Sequence, residues 1–95
     1  MLVARALRRN PRVLVLDDPT AGIDVGAREQ VHAIIEQSCS TDLAVLLVST
    51  DSTELARLCD RVLVFNRGRI TRELRRGVDL TAESIDRSQL TEAAA

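Results

Sequence analysis

Val13-Leu14-Val15-Leu16 runs unbroken into Asp17-Asp18-Pro19-Thr20, and Ala21-Gly22-Ile23-Asp24 follows at once. No other feature constrains the fold as tightly. A continuous apolar run of this length suits a strand buried on both faces of a parallel sheet. Carboxylates at the carboxyl end of such a strand lie where open α/β sheets bind ligands. An Asp there can hold Mg²⁺, usually through water, and Mg²⁺ can bridge the phosphates of a nucleotide. The second carboxylate, Asp18, is placed to polarise an attacking water. The plain alternative for Asp17 is a turn or helix-capping carboxylate.

The pattern after the run alternates strand and helix. Arg12 to Asp17 reads as a first strand and Leu43 to Ser49 as a second buried one. Between them, Val25 to Ser38 carries Ala27, Val31, Ile34 and Ile35 at helical spacing, with Asp24 as N-cap. Strand, helix and strand at this spacing imply a right-handed crossover joining parallel strands. A short helix is expected over Ser52 to Cys59, with Glu54, Leu55 and Leu58 on its inward side. Arg61 to Phe65 and Arg69 to Leu74 flank Asn66-Arg67-Gly68, a hairpin signal. Thr81 to Ser84 is placed to cap a last helix reaching Leu90, and Ala93 to Ala95 to fray. Residues 2 to 9 read as the end of a helix stopped by Asn10-Pro11.

Ninety-five residues form one small domain or part of one. A chain of this size buries only roughly 60–65% of its unfolded surface, so its own stability is marginal. The net charge of −1 argues against a general nucleic-acid or lipid-surface footprint. All 13 basic residues are arginine. Arg72, Arg75 and Arg76 cluster, and a solvated face is the favoured reading over a phosphate site. No stretch approaches the ~18 apolar residues of a membrane span, and no signal peptide is recognisable. Cys39 and Cys59 lack metal-site or redox spacing and are expected as buried or semi-buried thiols in a reducing compartment.

The segment from Val13 to Asp24 resembles the Walker B strand and D-loop of ABC-transporter ATPases. The string Asp18-Pro19-Thr20-Ala21-Gly22-Ile23-Asp24-Val25-Gly26-Ala27-Arg28 is most similar to the second ATPase half of bacterial sugar importers. Asn10-Pro11, Leu46-Leu47-Val48-Ser49, Leu58-Cys59-Asp60-Arg61-Val62-Leu63-Val64 and Arg67-Gly68-Arg69-Ile70 extend the likeness over roughly residues 1 to 75. The resemblance implies an α/β fold: a partial P-loop NTPase domain with a parallel βαβ core, a C-terminal β-hairpin and a terminal helix. Residues 1–78 would form the C-terminal portion of a nucleotide-binding domain and residues 79–95 a tail with a short helix.

By resemblance, Asp17 coordinates Mg²⁺ and contributes to cofactor binding. Asp18 stands where the family carries a catalytic glutamate. It is one methylene shorter, which draws the carboxylate back by about 1.5 Å, and misplacements near 1 Å cost on the order of a hundredfold in rate. Two readings stay open: slow hydrolysis, or nucleotide binding with scarcely any. Asp24 matches the D-loop aspartate, which in the family couples two ATP sites across a dimer. Thr50 stands at the switch-histidine position; it can donate one hydrogen bond to a phosphate but carries no positive charge. Small hydroxyl residues also occur there in the sugar-importer branch. The lone histidine, His32, sits mid-helix and is expected to face solvent.

The family cradles phosphates with a Gly-rich loop carrying Lys and Ser/Thr and reads the γ-phosphate with a Leu-Ser-Gly-Gly signature. This chain has neither, and Met1 to Leu7 resembles the helix after that signature. The resemblance therefore implies part of the ATP-hydrolysing subunit of an importer, for sugars, inactive in isolation. Its cofactors would be ATP and Mg²⁺ in the context of a complete domain. Its partners would be a complete ATPase half or second nucleotide-binding domain and a membrane permease, with no nucleic acid. Its place would be cytoplasmic, at the inner face of the membrane. The alternative is a degenerate, non-hydrolytic domain that regulates or scaffolds a competent one. A phospho-acceptor receiver domain also starts with a strand ending in paired acids, but it needs a lysine that this chain lacks.

Overall fold

The structure, a computed structural model, describes residues 12–39 and 42–94. The chain is α/β and divides into two compact units, Met1–Thr50 and Asp51–Ala95.

The first unit holds strand β1 (Val13–Asp17), helix α1 (Val25–Ser38) and strand β2 (Ala44–Val48). β1 and β2 pair in parallel, from Val13 opposite Ala44 to Asp17 opposite Val48, as the strand–helix–strand pattern implies. Side chains alternate along β1, so Leu14 and Leu16 are buried while Val13, Val15 and Asp17 are exposed. Val15 is 60% exposed and its neighbour Leu16 only 9%. Ala44, Leu46 and Val48 are the exposed residues of β2. The expectation of a strand buried on both faces is thus corrected. The apolar run meets cover on one face only among the described residues.

Two tight turns carry the chain from β1 to α1. The Ala21 N–H donates to the Asp18 carbonyl at 3.1 Å and the Ile23 N–H to the Thr20 carbonyl at 3.4 Å. Gly22, inside the second turn, has φ +76, a region where a Cβ is costly. Asp24 caps α1: its side chain accepts from the Ala27 N–H at 2.8 Å. The buried stripe of α1 is Val31, His32 and Ile35. His32 is 4% exposed, so the solvent-facing imidazole expected from the sequence is corrected. Position 32 lies three residues before Ile35 and beside Val31, on the apolar stripe itself. Cys39 is exposed rather than buried, Cys59 is half-buried, and neither forms a disulfide. The helix expected over residues 2 to 9 lies outside the described residues.

The second unit holds helix α2 (Ser52–Leu58), strands β3 (Arg61–Asn66) and β4 (Arg69–Arg75), and helix α3 (Ala82–Ala94). The Asp51 side chain caps α2, accepting from the Thr53 and Glu54 N–H groups at 2.9 and 3.1 Å. β3 and β4 form the expected antiparallel hairpin, with Asn66 opposite Arg69. The turn residues Arg67 and Gly68 both have positive φ, +51 and +78, as a two-residue hairpin of right-handed twist requires. Thr71 is an extra residue in the ladder, since Val64 faces Arg72 and Phe65 faces Ile70. Its hydroxyl donates to the Val64 carbonyl at 3.2 Å. Val62, Val64, Leu74, Leu55 and Ile85 form the buried apolar set, with Leu74 fully enclosed. Thr81 and Ser84 cap α3 reciprocally, each side-chain oxygen accepting from the other's N–H at 3.0 and 2.9 Å. The Ser52 hydroxyl donates to the Asp86 carboxylate and ties α2 to α3.

The arginine cluster separates into distinct roles. Arg75 pairs with Glu73 at 3.4 Å. Arg76 donates to backbone carbonyls at the carboxyl end of α2. Arg72 stays exposed on β4.

Candidate functional site

Parallel pairing brings the ends of β1 and β2 to one edge of the sheet. Asp17 is the last residue of β1 and lies opposite Val48, the last residue of β2. Alternation places its side chain on the exposed face with Val13 and Val15. Its carboxylate accepts no hydrogen bond from any described residue. An unencumbered carboxylate at this edge suits a water-mediated contact to a cation.

Asp18 follows in the left-handed region, φ +45, which Asp tolerates better than most residues. Its N–H continues the ladder by donating to the Val48 carbonyl at 2.6 Å. Its carboxylate turns toward β2: Oδ1 accepts from the Thr50 N–H at 3.0 Å. The two residues placed at the catalytic positions by sequence are therefore bonded to each other, side chain to backbone, across 32 positions of chain. Thr50 is exposed, and its hydroxyl makes no hydrogen bond among the described residues. Thr20, at the third position after the strand, is buried; a hydroxyl two residues past paired acids was the only sequence signal for it.

Asp24 bonds within the start of its own helix. Its carboxylate is spent on the first turn of α1, and its carbonyl accepts the Arg28 N–H at 2.9 Å. Gly26 stands beside it, where a Cβ would meet Asp24 Oδ1 at 3.6 Å, ordinary contact distance.

As a donor set the edge is sparse. No group of three His, Cys, Asp or Glu side chains among the described residues could hold a metal by itself. What is present fits a magnesium ion only if phosphate oxygens and waters complete its octahedron. The edge offers one open carboxylate, one engaged carboxylate and one free hydroxyl. No helix among the described residues is long and apolar enough to cross a membrane.

No family model matches the chain. Individual relatives do. The chain is 40% identical, over all 95 residues, to the ribose import ATP-binding protein RbsA 1 of Streptomyces coelicolor, and spans 19% of that protein's length. It is 54% identical over 63 residues to the ribose import ATP-binding protein RbsA of Chelativorans sp., a stretch covering 66% of this chain and 12% of the relative. Among solved structures, an ATP-binding cassette of an ABC transporter in its ADP conformation superposes with a TM-score of 0.68. The match covers 97% of this chain and 35% of that one at 23% identity, and at that identity the likeness is one of fold. Sequence and fold together make this chain homologous, along its whole length, to a segment of the ATP-binding proteins of sugar-importing ABC transporters.

Proposed function

We propose that this chain supplies the metal-side edge of an ATP site in the ATP-binding subunit of a sugar importer. The observation that carries the reading is Asp17: an open carboxylate at the carboxyl end of a parallel strand, in a chain whose relatives are named as ribose import ATP-binding proteins. In this reading Asp17 holds Mg²⁺ through water, and the bound ion neutralises charge on the phosphates. The Thr50 hydroxyl donates one hydrogen bond to a phosphate oxygen. Asp24 shapes the loop that meets a second nucleotide-binding domain. The phosphate cradle, the γ-phosphate signature and the coupling to a membrane permease come from polypeptide beyond this sequence. Residues 1–78 act as the nucleotide-binding portion and residues 79–95 as its tail, at the cytoplasmic face of the membrane.

Calorimetry with Mg-ATP tests the division of labour. The isolated chain is expected to show no useful affinity, and a micromolar Kd would overturn the need for a cradle from elsewhere. In a polypeptide joining this segment to a Gly-rich phosphate loop, Asp17→Ala is expected to abolish Mg²⁺-dependent ATP binding. Undiminished binding there would sink the assignment of Asp17.

A second reading has its own support. Asp18 is short and already engaged by the Thr50 N–H at 3.0 Å, which suits a domain that binds nucleotide and regulates a competent partner. Asp18→Glu with Thr50→His in the joined polypeptide discriminates. Increased turnover supports a hydrolytic site limited by these two side chains; unchanged turnover places the defect elsewhere.

A further inference from the structure

We infer that Asp18 is a positioning residue: its carboxylate holds the backbone of Thr50 so that the Thr50 hydroxyl is presented at the open edge of the sheet. The inference deepens the reading above and rests on it for the identity of what the hydroxyl meets.

Three observations converge on the clamp. The Asp18 N–H donates to the Val48 carbonyl at 2.6 Å, so residue 18 is anchored to β2 through its backbone. Its φ of +45 turns the side chain off the strand path. Its Oδ1 then accepts the Thr50 N–H at 3.0 Å, past the end of β2. Residues 49 and 50 lie beyond the ladder, whose last register pair is Asp17 with Val48. Among the described residues, the Asp18 carboxylate alone accepts the Thr50 N–H. A charged acceptor makes this bond stronger than a neutral one.

Side-chain length is part of the device. A glutamate at this position would carry its carboxylate about 1.5 Å further along the chain of bonds and add a rotatable bond, which takes it off the position from which the aspartate meets the Thr50 N–H. The shorter acid serves the clamp; the longer one would give it up. The same short side chain that would set a water-activating carboxylate back therefore orders the threonine that stands nearby.

Amide hydrogen exchange, read residue by residue by NMR on the ¹⁵N-labelled 95-residue chain without nucleotide, tests the clamp. Residue 18 is remote from Thr50 in sequence, so substitutions there leave the intrinsic exchange rate of Thr50 unchanged. Asp18→Asn and Asp18→Gly both tolerate a positive φ, but only the first keeps an acceptor. Asp18→Gly is expected to speed Thr50 exchange about tenfold, the worth of one such hydrogen bond. Asp18→Asn is expected to retain most of the protection, and Asp18→Glu to lose it, with the Val15 and Leu47 amides unchanged in all three. Equal Thr50 exchange in wild type and Asp18→Gly overturns the clamp, as does an unprotected Thr50 amide in wild type. Because no nucleotide is present, this outcome is independent of the Mg-ATP measurement: either reading can fail while the other stands.

Discussion

The Arg76 guanidinium reaches back 17 residues to the carbonyl of Cys59, meeting it with Nε at 3.1 Å and Nη2 at 2.7 Å. The same Nη2 also lies 2.8 Å from the Arg57 carbonyl. The last carbonyls of a helix lack intrahelical donors, and a cation at that end also opposes the helix dipole. Arg76 answers both needs for α2, while its own N–H donates to the Asp60 carbonyl at 2.9 Å. Arg76→Ala is expected to lower stability by about 1–2 kcal/mol, and Arg76→Lys to recover less than half, because a lysine cannot span several carbonyls with a planar fork. Urea denaturation followed by circular dichroism checks both variants.

Asp24 carries a structural role that can be measured without nucleotide. Its side chain satisfies the Ala27 N–H at the start of α1. Asp24→Ala is expected to cost about 1 kcal/mol, and Asp24→Asn a few tenths, the usual ranking of N-cap residues. Equal losses for the two would show that charge, and not hydrogen bonding, dominates at this cap.

The two faces of the β1–β2 pair make opposite expectations for residues of the same chemistry. Leu14 is 8% exposed and Leu46 is 56% exposed. Leu14→Ala is expected to cost about 2–4 kcal/mol, as deletions in a packed interior do. Leu46→Thr is expected to change stability by under about 0.5 kcal/mol. Thermal unfolding of the two variants decides this.

Acid sensitivity is expected at Glu73. Its carboxylate accepts from Arg61 at 3.2 Å and from Arg75 at 3.4 Å. These hydrogen bonds, Arg61's first, hold its pKa below the ordinary 4.5. A lowered folded pKa gives stability that is present above the unfolded value and fades as pH falls through the folded one. The pairs lie at the surface, so the effect is small and salt-screened. The carboxyl carbon of Glu73 is expected to titrate below 4.5 and to move back toward it in Arg61→Ala; ¹³C NMR reads both.

Most of the element order was legible because its signals are local. The helix expected over Val25 to Ser38 is α1 as found, with Asp24 capping it. The Arg67-Gly68 turn and the Thr81–Ser84 cap depend on neighbouring residues alone, and both formed where expected. What escaped was relational. An apolar run shows which residues need cover, not how much of it the surrounding chain supplies, so the exposure of Val13 and Val15 could not be read from it. His32 is a polar residue type on the Val31–Ile35 stripe, and its place there, not its polarity, decides that it is buried. At the site, the adjacency of Asp17 and Asp18 is plain in sequence. The bond from Thr50 to Asp18 is not, since it exists only after β2 pairs with β1 and residue 18 turns through positive φ. The role of Arg76 was hidden for the same reason: it is defined by a helix end that folding brings to it.

The division at Thr50 puts the chain's lone imidazole in one unit and its lone phenyl ring in the other. His32 and Phe65 therefore give each unit a private set of ring protons in an ordinary proton spectrum. Loss of dispersion at one ring before the other would time the melting of the two halves separately, with no isotope and no engineered reporter.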